Sequence, residues 1–278
     1  MKGMRAFLRR YGRNRAALGA AVVLALVVLS AIVGPLLYAI DPFDMVGLPY
    51  ATPFGEFPLG TDVSGRDILS GILNGARISL LIGVTAALTA TTIGVALGAL
   101  AGYYGGLIDD LLMRTTEFFL TIPSFVFALV LVAIFSPTVV SVTAAIAVVS
   151  WPSMARLVRG EFIAQRGRTY VQACRALGMP DWEIILRQIL PNALPPVIVV
   201  GSLTVATAIL TESGLSFLGP SDPNVVTWGY MVGVARTALF AAPWMISIPG
   251  LAILITVLAI NLVGEGLNDA FNPSLRGR

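Results

Sequence analysis

The run from Phe118 to Ala155, FFLTIPSFVFALVLVAIFSPTVVSVTAAIAVVSWPSMA, contains no charged side chain. A helix needs about 20 residues to cross roughly 30 Å of hydrocarbon, so the run is too long for one crossing. Ser136-Pro137 divides it, because proline breaks the helical ladder and biases the residue before it away from helix. Two spans result, Phe118 to Phe135 and Thr138 to about Met154. Working outward, four more uncharged apolar stretches have spanning length: Ala16 to Ile40, Ile78 to Leu107, Ile189 to Thr211 and Thr237 to Gly264. Pro223 to Ala235 is apolar but too short. The expected fold is an all-α integral membrane protein with six transmembrane helices.

Composition agrees. The chain is 56% hydrophobic and 12% charged, against about 25% charged for a soluble domain. The apolar surplus must face lipid. Absences narrow the chemistry further. With one cysteine, Cys174, no intrachain disulfide or thiolate metal cluster can form. No histidine is present, which removes His-based triads and metal ligands. The single lysine is Lys2, and no G-x-x-x-x-G-K-[ST] run occurs, so a nucleotide would have to bind another chain. No catalytic residue, metal ligand set, chain-bound cofactor or nucleic-acid contact is expected.

The first apolar stretch is longer than a signal-peptide core and lacks a small-x-small cleavage site, so it reads as a retained anchor. Arg9-Arg10 reads as anchor charge rather than a twin-arginine signal. Orientation follows the basic residues. Lys2, Arg5, Arg9, Arg10, Arg13 and Arg15 precede the first span. Arg156, Arg159, Arg166, Arg168, Arg175 and Arg187 lie between the fourth and fifth, and Arg276 and Arg278 follow the last. Arg66, Arg77 and Arg236 remain outside. Both termini and the loop at about 156–191 are therefore expected in the cytoplasm. Asp109, Asp110 and Glu117, beside Arg114, sit awkwardly in a loop also placed inside, but acids count little in this rule.

The cytoplasmic loop reads TYVQACRALGMPDWEIILRQILP from Thr169 to Pro191. Thr169 with Gln172 has the form of a capping box. Gly178 is placed to end the helix in a left-handed C′ conformation, and Pro180 prevents resumption. Asp181 can cap a second helix, which Pro191 ends or kinks. Ala173, Cys174 and Ala176 are small enough to let the helix seat closely against a partner. On these features alone an ordinary interfacial loop is an equal alternative.

The loop resembles the EAA motif of ABC importer permeases, Glu-Ala-Ala-x-x-x-Gly followed nine residues on by Ile or Leu before Pro. Here it is Gln172-Ala173-Cys174-x-x-x-Gly178, with Ile189-Leu190-Pro191 at the matching distance. Gln172 replaces the acid and Cys174 the second alanine. Phe57–Asp67 with Gly75–Leu80, Glu212–Gly219 with Trp228–Met231, and Pro249–Ala252 with Asn261–Asn268 are similar to segments of the C-type permease of dipeptide, oligopeptide and nickel importers. The match runs over most of residues 57–273. The division implied is 1–56, an N-terminus, first span and external loop, and 57–278, a five-helix core carrying the coupling loop.

The resemblance implies a multi-pass permease in a bacterial or archaeal plasma membrane, forming half of a path for di- or oligopeptides. It implies a second, B-type permease, two ATP-binding cassette ATPase subunits that hold ATP and Mg, and an extracytoplasmic solute-binding protein. Thr169, Tyr170, Gln172, Ala173, Cys174, Ala176, Leu177, Gly178 and Pro191 would form the coupling surface docked on the ATPase. Nickel or another small solute is the alternative cargo. An ion-coupled transporter, the alternative from another class, would bury ionisable groups at mid-membrane, whereas these stretches are uncharged.

Other residues have two readings. Gly94, Gly98 and Gly102 form overlapping G-x-x-x-G units, for packing within the chain or against a partner permease. Asp62, Arg66 and Asp67 form a substrate or metal site, or a salt-bridged cap on an external amphipathic helix. Glu212 is a functional acid near membrane depth, a hydrogen-bond partner of the turn at Gly214, or a contact for the external binding protein that the resemblance implies. Trp151, Trp228 and Trp244 are expected as interfacial anchors.

Overall fold

The computed structural model describes residues 11, 12, 14–219 and 221–271. Lys2, Arg5, Arg9, Arg10, Arg13, Arg276 and Arg278, which carry part of the orientation expectation, lie outside the described residues. The described residues form helices α1 (Arg15–Leu37), α2 (Ile68–Tyr104), α3 (Gly106–Thr121), α4 (Ser124–Phe135), α5 (Val139–Arg166), α6 (Thr169–Ala176), α7 (Asp181–Glu183), α8 (Leu190–Leu218), α9 (Trp228–Ala235) and α10 (Trp244–Phe271). A π-helical turn, Ile184–Ile189, joins α7 to α8. No strand occurs among the described residues, only two isolated bridges in the loop before α2.

Five helical segments are long and apolar enough to cross a membrane: α1, α2, α5, the α7–α8 rod and α10. The sixth crossing exists only if α3 and α4 are taken together, and that pair is bent by 87°. This corrects the straight third span expected from Phe118 to Phe135. The cause is Pro123: Ile122 before it takes φ −87° and ψ 128°, extended backbone, as the proline ring demands. The break at Ser136-Pro137 falls as expected. Thr138 Oγ1 then accepts from Ser141 N at 3.1 Å and Ser141 Oγ accepts from Thr138 N at 2.9 Å, closing a capping box that starts α5.

α2 has 37 residues, about 55 Å at ~1.5 Å rise per residue, nearly twice the hydrocarbon thickness. It begins ten residues before the expected Ile78, because the buried Asp67 caps it, accepting from Leu69 N and Ser70 N at 3.1 and 3.3 Å. Its other half packs on α5. A Cβ added at Gly94 or Gly102 would lie 2.6 Å from Met154 Cβ or Phe162 Cβ, so the glycine stripe serves packing within this chain. The partner-permease reading of that stripe is closed.

The rod starting at Asp181 does not end at Pro191, which sits inside α8. Leu190 N bonds to Ile185 O, five residues back, and this wider turn takes up the proline that lacks an N–H. The last span starts at Trp244 rather than Thr237. Trp228 and Trp151 are buried, correcting the anchor expectation for both. Trp228 Nε1 donates to Ile72 O at 3.0 Å and Trp151 packs edge-on to Phe119.

Candidate functional site

The segment after α5 folds back on the bundle. α6 starts after Arg168, whose side chain makes no cap, and Thr169 is already helical. The expected Thr169–Gln172 capping box is therefore absent: the helix begins one residue too early for Thr169 to be its cap. Gln172 Nε2 instead donates to Gly167 O at 3.3 Å. Val171 is buried, and with Tyr170, Cys174 and Met179 it packs on Phe162, Ile184 and Ile189. Gln172, Ala173 and Ala176 lie exposed on the opposite side, and Leu177 beyond them is 85% exposed. The loop is thus an amphipathic helix seated on one face only.

The turn behaves as the sequence indicates. Gly178 has φ +75°. Met179 N bonds to Cys174 O at 3.1 Å and Gly178 N to Arg175 O at 3.0 Å, the pair of bonds that defines a Schellman end. Pro180 follows as N-cap of α7. Asp181 is already the first helical residue and makes no cap bond; its Oδ1 accepts from the Tyr103 hydroxyl instead.

Tyr103, unremarked in the sequence, organises this end. It is 4% exposed, at the C-terminal end of α2. The Arg175 guanidinium lies 5.0 Å from its ring centre and Arg166 Nη1 donates to its carbonyl at 3.3 Å. Asp109 at the start of α3 takes a two-pronged bond from Arg159 of α5, at 2.5 and 2.7 Å. The awkward acidic loop therefore lies at the arginine-rich end, beside the segment whose charge it answers. Arg187 pairs with Glu183 at 2.6 Å on the outer side of the rod. Pro191 lies in the first turn of α8 and is exposed, past the π-helical turn that follows the hairpin.

At the opposite end, Asp62, Arg66, Asp67 and Glu212 do not form one site. Asp62 Oδ1 accepts from Ser64 N at 2.7 Å and Arg66 N at 2.9 Å, fixing a turn. Asp67 is the α2 cap. No ion pair joins Arg66 to either aspartate among the described residues, which corrects the salt-bridge expectation. Arg66 stacks on Phe43 and donates to the Tyr230 hydroxyl at 3.2 Å, tying the loop to α9. The Tyr38 phenol is pushed up to about 12 by burial first and by the Asp67 carboxylate beside it second. Glu212 is 1% exposed and accepts from Thr227 Oγ1 at 2.7 Å and Ser216 Oγ at 2.9 Å. It fastens α8 to the cap of α9 and does not reach the surface or the Gly214 backbone.

The described helices form a bundle with five or six segments able to cross a membrane, and one end presents an exposed helix–turn–helix braced by them. Residues 94–277 match the model of the binding-protein-dependent transport system inner membrane component, and the chain belongs to that family. Residues 4–53 match the N-terminal TM domain of oligopeptide transport permease C. The chain is 37% identical to the di/tripeptide transport system permease protein DppC of Pseudomonas aeruginosa (strain UCBPP-PA14), over 98% of this chain and 93% of that protein. It is 38% identical to the glutathione transport system permease protein GsiD of Pectobacterium atrosepticum, over 98% and 91%. Its fold matches a chain of the inward-facing MetNI methionine ABC transporter with a TM-score of 0.56, at 18% identity, over 69% of this chain and 91% of that one. The protein is a multi-pass permease subunit of an ABC importer in the inner membrane.

Proposed function

We propose that this subunit is the C-type permease of an importer for di- or oligopeptides, and that residues 169–191 transmit the work of a separate ATPase to its spans. The cargo reading rests on relatives whose names specify dipeptides, oligopeptides and glutathione, all peptide-bonded solutes. A second permease of B type would complete the path. Two cassette ATPases would hold ATP and Mg, and an external binding protein would deliver the peptide. The arginine-rich end faces the cytoplasm in this reading.

One observation carries the docking role: α6 is anchored by Val171, Cys174 and Met179 beneath while Gln172, Ala173, Ala176, Leu177 and Gly178 stand free above. A protruding apolar side chain flanked by alanines suits insertion into a cleft. The bracing through Tyr103 and Asp181 makes the hairpin a lever on α2, α5 and α8 rather than a loose tether. Movement follows only if the ATPase contacts differ between its nucleotide states. Affinity purification of the intact chain from its native membrane tests the reading. An ATPase pair and a second permease are expected to co-elute, and Leu177→Asp is expected to lose the ATPases while keeping the permease. Co-elution of the ATPases unchanged by Leu177→Asp refutes the docking surface.

A further inference from the structure

The bundle holds two kinds of hollow. One, of about 770 Å³ between α2 and α8, is lined mainly by residues such as Leu88, Val95, Leu194 and Ile198, with Thr91, Thr92 and Ser202 among them, and the surface it presents is mostly apolar. The other, of about 480 Å³, is an open cleft between α5, α8 and the α3–α4 elbow, and Ser124, Ser150, Ser153, Thr204, Thr207 and Thr211 line it together with apolar residues such as Leu120, Val149 and Leu203. No lining residue is charged. Three of these hydroxyls come from α8 at a spacing that keeps them on one face. Thr204, Thr207 and Thr211 each donate to a carbonyl three or four residues back, which leaves their oxygens free to accept. Ser124, Ser150 and Ser153 have no hydrogen-bond partner among the described residues.

Unpartnered hydroxyls facing hydrocarbon cost free energy, and lipid tails offer them nothing. Water or a polar solute satisfies them. We infer that this hydroxyl-lined hollow is the wet wall that this subunit contributes to the solute path, and that it handles peptides through their backbone amides rather than their side-chain charges. The inference rests on the peptide reading above for its cargo. A hydroxyl both donates and accepts, so it pairs with the N–H or C=O of any peptide unit. An uncharged lining binds cationic and anionic peptides alike, and weakly enough to release them, as a conduit requires. A bare divalent cation finds no carboxylate, imidazole or thiolate there. The 87° elbow at Ile122-Pro123 forms one side of the hollow, so movement of α3 against α4 changes its width.

The test uses the assembled transporter in proteoliposomes, with native Cys174 kept and labelling scored above that parent. Thr207→Cys and Ser153→Cys are expected to react with a charged, membrane-impermeant thiol reagent, and Leu88→Cys and Leu194→Cys are not. Excess transported dipeptide is expected to protect positions 207 and 153. Equal labelling at 207 and 88, or labelling at 207 and 153 without peptide protection, overturns the inference. Thr207→Asp is expected to shift the uptake ratio of a lysyl over a glutamyl dipeptide by about tenfold, since one charge a few ångströms from another in a wet cleft is worth that much. An unchanged ratio also overturns it. If the parent imports no peptide, the cargo reading fails, and the reagent pattern at 207, 153, 88 and 194 still decides whether the hollow is wet.

Discussion

Replacing Gly178 isolates one physical quantity, the backbone conformation of the turn between α6 and α7. Its φ is +75°, and a Cβ placed there meets nothing within 4 Å. Within this chain the effect of a substitution is therefore strain, with no internal clash and no lost internal contact, and Asn against Val separates that strain from any added bulk against the docked ATPase. An ordinary L-residue forced into this region costs about 1–2 kcal/mol, and a β-branched one about 2–3 kcal/mol. At ~1.4 kcal/mol per tenfold, Ala lowers the population of the closed hairpin about 5–30-fold and Val roughly 30–150-fold relative to its opened forms. Asn, which tolerates left-handed backbone, loses least. The bundle is untouched, so all three variants reach the membrane at normal level. In proteoliposomes holding the complete transporter, peptide uptake per ATP hydrolysed is expected to fall in the order Gly, Asn, Ala, Val. Asn performing as badly as Val refutes the conformational account. Uptake unchanged in Val refutes the hairpin as the coupling element.

Three further outcomes follow from other contacts. Tyr103→Phe removes the bond to Asp181, worth about 1.5–3 kcal/mol for a charged acceptor, while keeping the ring under Arg175; faster hydrogen exchange confined to α6 and the Gly178 turn is expected, and exchange spread over the whole bundle contradicts the latch. Gly98→Leu drives a side chain into the Ala155–Arg159 backbone, which exceeds the usual overpacking cost of about 1–3 kcal/mol, so the purified chain should melt many degrees lower or fail to accumulate; wild-type melting contradicts the α2–α5 crossing. Tyr38 is expected to ionise near 12, read as the difference in phenolate absorbance between wild type and Tyr38→Phe. Since its folded value is raised, this contribution to stability is complete below about 10 and is lost as pH climbs through about 12; titration near 10 in the folded protein contradicts the burial of the phenol beside Asp67.

Much of the fold was legible because lipid imposes simple rules. Length and absence of charge placed the first span within three residues and found the central part of the second, fourth, fifth and sixth, while at least one end of each lies seven to twelve residues from its expected position; Ser136-Pro137 and Gly178 punctuate the backbone as their own chemistry requires. The errors share a cause. Thr169, Gln172 and Asp181 carry local capping signals, but packing sets the register of each helix start: Thr169 and Asp181 are both already the first helical residue, and Asp181 accepts from Tyr103, far upstream, instead. Hydropathy is uniform across Pro123, so the bend it imposes on the third span does not show in an apolar run.

Sequence by itself settled the class: a chain with so few charges, long uncharged runs and arginines gathered in alternate loops must thread a bilayer, since no other solvent accepts that surface. Tertiary structure alone decided which faces work. Glu212 and Trp228, polar or amphipathic by type, turned out buried fastenings. The serines and threonines of α4, α5 and α8, unremarkable one by one, converge on a single hollow. Composition and helical period are properties of a segment. Convergence of separate segments on one point depends on how the helices cross, and that is fixed only when glycine stripes, elbows and ion pairs bring them together.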